Sequence, residues 1–335
     1  MKKVVIIGAS FAGLRAYTYL KKHADVDLTL IDKAPVVTYI PSLHLVLNRP
    51  DYLSKIQIPL ADFYEDFVQD EVSSVTASRV VGASRKYSYD FLIVASGAPT
   101  NFFGNESFQK YAFSAKSALE LDAINKKLPD AKNVVIVGGG LSGVEYAGVL
   151  ASETDKNITL ISATDRLLPG LNQKASSLTK KYLEKQGVNV LLSAFADKAT
   201  KKSVVLKDGT KIPSDLTMWC AGISQHCSFI SEKISSSPQV FFAGDVIRTN
   251  QVPTAHNAML AGDAIAKTII SHLNGSPKVF PLKNWTTLAV ALGRNYGLLC
   301  FGSKLTVPFP FTGLAKTIIE KRIMYEWKKK KLLYI

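Results

Sequence analysis

Short apolar runs rich in Val and Ile recur along the chain. Each leads into a small-residue turn and then into apolar positions at helical spacing. Residues 4–7 (Val-Val-Ile-Ile) and 134–137 (Val-Val-Ile-Val) are the clearest. Continuous apolar runs of this length predict parallel strands buried on both faces, since a half-exposed strand would alternate with polar residues. After the first run, Leu14, Ala16 and Leu20 supply the inner face of a helix, and a helical pattern also follows Gly143. Residues 27–31 and 158–161 predict the next strand of each unit. Further strands are predicted at 71–76, 79–81, 86–89, 188–193 and 203–207, with Asp208-Gly209 as a hairpin turn. Residues 90–97 and 215–222 repeat one form: an Asp, an apolar strand, and a small-residue end at Ser96-Gly97 and Ala221-Gly222. Two units on one plan predict a duplicated βαβ nucleotide-binding module.

Beyond the second unit, residues 239–242 form a short strand ending in Ala243-Gly244-Asp245. A helix is predicted over 255–272 with Thr254 as its N-cap. Residues 275–280 look like a linker, and 286–299 are apolar around a turn at 293–297. From Thr312 the pattern is helical again. Leu314, Ile318, Ile319, Ile323 and Trp327 share one face; Lys316, Lys321, Arg322 and Lys328 to Lys331 form the other face and the tail. This predicts a basic amphipathic helix that docks on an anionic membrane surface. The alternative is a helix packed on the core with a solvated basic tail. No run of about 18 apolar residues predicts a membrane span.

The turns carry the candidate chemistry. Gly138, Gly140 and Gly143 have G-x-G-x-x-G spacing: one glycine for the tight turn, one for close approach of a pyrophosphate, one for helix–strand packing. The helix start behind them offers free N–H groups to phosphates. At the chain's start, Gly8, Ser10 and Gly13 repeat the spacing with Ser10 in the middle place, and Phe11 and Ala12 inside it. Asp32 follows the next strand, where a ribose hydroxyl needs an acceptor. In the second unit that place is Ser162, with Arg166 nearby to meet a 2′-phosphate, so NADH and NADPH both stay open.

The net charge of +14 suits nucleic acid, an anionic membrane or anionic cofactors without choosing among them. No aromatic-interleaved basic groove or helix-turn-helix stands out, so no nucleic-acid partner is expected. Three cysteines, Cys220, Cys227 and Cys300, are too few for a disulfide scaffold, form no C-x-x-C, and read as structural.

The pair of turns, the two Gly-ended strands and Ala243-Gly244-Asp245 together resemble the two-dinucleotide-binding flavoproteins, the pyridine nucleotide-disulfide oxidoreductase family, over nearly the whole chain. Gly-Val-Glu145, Gly293-Arg294-Asn295 and the C-terminal stretch are similar to its type II NADH dehydrogenases and AIF-like ferroptosis suppressors. The resemblance implies an α/β fold with two Rossmann-like domains and a C-terminal region: an FAD domain at 1–105 and 225–278, an NAD(P)H domain at 106–224, and residues 279–335. It implies FAD held by Gly8, Ser10, Phe11, Ala12, Gly13, Asp32, Lys33, Ser96, Gly97, Gly244, Asp245 and Ala255. NADH or NADPH, as substrate, falls to Gly138, Gly140, Gly143, Ser162, Arg166 and Gly222. Glu145 is expected near the meeting point of the two rings, its bland alternative being an exposed first-turn carboxylate. His256 is expected near a quinone. Residues 36–47, where disulfide reductases carry their cysteine pair, have none, so electrons pass directly from flavin to acceptor. The implied protein is an NAD(P)H:quinone oxidoreductase, peripheral on the inner face of the cell membrane, with a homodimer allowed. A soluble ferredoxin or rubredoxin reductase and a non-catalytic AIF-like redox sensor are the alternatives.

Overall fold

The computed structural model describes residues 1–224, 227–247, 252–282, 287–302 and 304–330. The apolar runs pair as their composition demands. Lys2–Ile7 lies at the centre of a parallel sheet, flanked by Val26–Asp32 and Phe67–Gln69 on one side and by Phe91–Val94 and Val240–Phe242 on the other. Val4 and Ile6 on one face and Val5 and Ile7 on the other are all buried, as expected for a strand covered on both faces. The edge strand Val240–Phe242 comes from beyond the second unit, so the chain leaves this sheet and returns to it.

The second sheet repeats the order. Asn133–Val137 is central, with Asn157–Ile161 and Asn189–Leu191 on one side and Leu216–Trp219 and Ala112–Ser114 on the other, all parallel. Each unit also carries a three-stranded antiparallel meander: Val72–Val75, Arg79–Gly82 and Lys86–Ser88 in the first, and Ala196–Ala199, Ser203–Leu206 and Lys211–Pro213 in the second. The sequence pattern misses the outer two strands of the second meander. They are short, and Asp197, Lys198 and Lys211 break the apolar signal.

Helix Phe11–Leu20 packs against helix Ala255–Leu273 at unusually close range. A Cβ on Gly262 would lie 2.3 Å from the Ala12 carbonyl oxygen, so glycine is required there. Thr254 caps the second helix by accepting from the Asn257 amide at 3.2 Å, as its residue type predicts. Towards the C-terminus, Leu288–Ala291, Gly297–Phe301 and Leu305–Phe309 form an antiparallel sheet, and helix Thr312–Lys329 follows.

That last helix departs from its expected single apolar face. Ile323 and Trp327 are buried, whereas Leu314 and Ile318 are 61% and 58% exposed. The C-terminal half is pinned by polar groups that the pattern places in water. Arg15 reaches from helix Phe11–Leu20 to Glu326 and, at 2.9 Å, to Asp263, and all three are buried. Tyr64 donates to the Trp327 carbonyl at 3.0 Å. The Trp327 ring lies 5.2 Å from that of Phe11 and 6.1 Å from that of Tyr39. Lys331, counted in the basic tail, lies outside the described residues.

Candidate active site

Both glycine-rich turns open onto one cleft of about 2380 Å³ between the two sheets, more than twice the roughly 1,000 Å³ upper range of a drug-sized pocket. From the first turn, Gly8, Ser10, Phe11 and Ala12 line it, with Asp32, Lys33, Ser96 and Gly97 from the strand ends. Gly244, Asp245, Ala255 and His256 line it from the returning segment. From the second unit come Gly138, Gly140, Glu145, Ser162 and Gly222. Three expected residues are not on its wall: Gly13, Gly143 and Arg166.

The glycines divide by what they approach. Gly8 and Gly138 sit at φ +103° and +123°, where other residues are strained. A Cβ on Gly13 or Gly143 would fall 1.8 or 1.9 Å from the carbonyl oxygen of Gly8 or Gly138, so both serve helix–strand packing. Gly140 is different: a Cβ there would meet no protein atom within 4 Å, and it points into the cleft. Nothing in the fold demands glycine at this position, whereas a phosphate lying against the backbone does. The residues present therefore fit a dinucleotide. At the first turn, the Asp32 carboxylate accepts from the Ala9 and Ala34 amides at 2.7 and 2.9 Å, which fixes it at the rim of the turn.

Glu145 is neither exposed nor a mere complement to the helix dipole. It points from helix Leu141–Glu153 across the cleft wall to Lys316 of the last helix, at 2.5 Å, and accepts from the Ala291 amide at 3.1 Å. His44 Nδ1 lies 3.7 Å from its second oxygen. Burial works against its charge, but Lys316, His44 and the amide outweigh that and hold its carboxyl below the ordinary range. Lys316 thus belongs to the cleft wall, not to the solvated basic face that the sequence suggests. No local signal marks it among its neighbouring lysines.

Burial, reinforced by Lys316, pushes His44 down to about 4. The unfolded chain titrates this group near about 6.5. Between those values the unfolded state binds more protons. The His44 contribution is therefore complete above pH 6.5 and is lost as pH falls through 4, on the order of 3 kcal/mol. In urea titrations, His44→Leu is expected to show a shallower loss of stability between pH 7 and pH 4 than the parent. Identical pH dependence in both would refute the assignment.

The cleft holds further polar groups without a role in the sequence reading. The Lys116 ammonium donates to the Ala98 carbonyl at 2.6 Å, and burial lowers its pKa. Burial raises the Asp245 carboxyl against the pull of Lys116. His256 is lowered by burial and by Arg15, which favours the neutral imidazole. Cys220 and Cys227, read as purely structural, are on the cleft wall. Burial pushes the Cys220 thiol up to about 12 and raises that of Cys227, so neither is a thiolate at neutral pH. Cys300 is buried. The described residues include no group of three or more His, Cys, Asp or Glu placed to hold a metal.

The pyridine nucleotide-disulphide oxidoreductase family matches residues 2–262. The type II NADH:quinone oxidoreductase NdhA of Mycobacterium tuberculosis is 27% identical over 337 residues, covering 81% of this chain and 72% of its own length. The type II NADH:quinone oxidoreductase of Staphylococcus aureus is 26% identical over 366 residues, 91% of each chain. Among solved structures, the sulfide:quinone oxidoreductase of Aquifex aeolicus superposes with a TM-score of 0.85 at 18% identity, over 99% of this chain and 92% of that one. NDH2 of Plasmodium falciparum in complex with NADH gives 0.83 at 16%, over 98% and 96%. At these identities the structural likeness concerns the fold.

Proposed function

The chain belongs to the pyridine nucleotide-disulphide oxidoreductase family, and from that premise we propose that it is an FAD-dependent NAD(P)H:quinone oxidoreductase. The observation that carries this reading is the shared cleft: two phosphate-type turns facing one space, with no cysteine pair in residues 36–47 to relay electrons. The names of the relatives support the quinone as acceptor. Bound FAD would supply the redox chemistry, taking hydride from the nicotinamide and passing two electrons to the quinone.

The chain's own residues bind, orient and manage charge. Gly8, Ser10 and Asp32 take the adenosine diphosphate portion of FAD, and Asp245 its sugar chain. The start of helix Ala255–Leu273 offers its positive end to negative charge that develops on reduction. Gly138 and Gly140 take the nicotinamide nucleotide. The overall reaction consumes one proton per quinone. Lys316 holds a proton at Nζ on the cleft wall, and Glu145 compensates its charge. His256, on the same wall, offers a ring N–H as a hydrogen-bond donor to a quinone oxygen.

No helix among the described residues is long and apolar enough to cross a membrane. Peripheral attachment at the inner face of the cell membrane is the reading favoured by the last helix. Phe311, Leu314 and Ile318 are each more than half exposed, beside Lys321 and Arg322. Each large side chain buried in lipid is worth roughly 1.5–3 kcal/mol. The paired change Leu314→Ser with Ile318→Ser is therefore expected to weaken binding to anionic vesicles by about tenfold or more. Protein carrying FAD should oxidise NADH only when a quinone is added. Equal sedimentation of parent and variant would point to a soluble protein acceptor instead.

A further inference from the structure

Resting on the reading of the second turn as the nicotinamide nucleotide site, we infer that this site takes NADPH as well as NADH, with Lys207 as the residue that pairs with the 2′-phosphate. A site restricted to NADH places a carboxylate at the end of the second strand, where it accepts from the ribose hydroxyls and repels a phosphate. Here strand Asn157–Ile161 ends at Ser162. Its hydroxyl is 2.9 Å from that of Thr164 and carries no charge to repel or neutralise.

Arg166 is the cation that sequence position nominates, and its guanidinium is engaged elsewhere. Nη1 donates to Gln173 Oε1 at 3.2 Å and Nη2 to the Pro169 carbonyl at 2.8 Å, and the residue is not on the cleft wall. Lys207 is on that wall. It follows strand Ser203–Leu206 and is tied to the strand end by backbone bonds. The Ala194 amide donates to the Ser162 carbonyl, and the Lys207 amide to the Phe195 carbonyl, both at 2.9 Å. The Phe195 ring is half exposed on the same wall, with Lys207 Nζ 5.1 Å from its centroid. A flat apolar face beside a lysine, on a segment hydrogen-bonded to Ser162, matches an adenine carrying a phosphate on the adjoining ribose. Among the described residues Lys207 enters no ion pair.

Asp197 lines the same stretch of wall. It leaves the patch without net charge, where a strand-end carboxylate would make it negative. Both nucleotides are therefore admitted, rather than NADPH alone.

The test uses the FAD-loaded protein with a soluble quinone, and separately titrates 2′,5′-ADP and 5′-ADP by calorimetry. The parent should use NADPH with kcat/KM within about tenfold of NADH. Lys207→Met should lower kcat/KM for NADPH and affinity for 2′,5′-ADP by about fivefold, the limit for one exposed ion pair. It should leave NADH and 5′-ADP within about twofold. Lys207→Arg should restore the parent values, and Arg166→Met should change neither. Equal losses for both nucleotides, a loss selective for NADPH in Arg166→Met, or a parent that rejects NADPH while oxidising NADH would overturn the inference. Oxidation of neither nucleotide would count against the underlying function, and the 2′,5′-ADP titration would still decide the role of Lys207.

Discussion

Gly140→Val is expected to give a protein about as stable as the parent that binds its nicotinamide nucleotide far more weakly. The backbone at Gly140 has φ −80° and ψ −171°, open to any residue. A Cβ there meets no protein atom within 4 Å, so the new side chain starts in open space. The same Cβ occupies the cleft where a pyrophosphate approaches the start of helix Leu141–Glu153. KM for NADH should rise by about tenfold or more, on the order of 1.4 kcal/mol. Gly143→Ala should do the reverse. Its Cβ would fall 1.9 Å from the Gly138 carbonyl oxygen, so helix and strand must separate, at about 1–3 kcal/mol or more in stability. Thermal unfolding and steady-state kinetics on the two variants separate these effects. An unchanged KM in Gly140→Val would mean that the second turn holds no dinucleotide, and the functional reading would fail with it.

These two positions also show what the sequence can and cannot display. Both turns were legible because the signal is local: a buried strand, glycines at fixed spacing and a helix start occupy one short window. The turn and packing roles of Gly138 and Gly143 were legible too, since each follows from how close the backbone must come. The group Glu145, Lys316 and His44 was not. Its members come from three distant stretches, and each has a bland local reading: a first-turn acid, one lysine among many, a histidine in an apolar loop. The last helix misled for a related reason. It buries Glu320 and Glu326, which an apolar-face rule assigns to water. One clue was available in Arg15, which sits four residues after Phe11 on the inward side of its helix. A cation on a core-facing row requires a buried acid, and Asp263 and Glu326 supply two.

The pair Glu145–Lys316 joins the nucleotide-side helix Leu141–Glu153 to the C-terminal helix Thr312–Lys329, and the two side chains are only 13% and 11% exposed. Lys316→Met leaves a buried carboxylate supported by the Ala291 amide and a neutral His44, and breaking such a pair costs about 3–5 kcal/mol. Glu145→Gln strands the ammonium in the same way. The double variant removes both charges and keeps the volume, so its stability should return to within about 1–2 kcal/mol of the parent. Turnover should not return. If Lys316 carries the proton that the quinone takes up, both single variants and the double variant reduce quinone slowly, about tenfold or more below the parent. Flavin reduction by NADH, which needs no proton from the protein, should be affected less in all three. Urea titrations give the stability series, and rapid mixing separates flavin reduction from quinone reduction. Recovery of quinone turnover alongside stability in the double variant would reduce the pair to a strut between two helices.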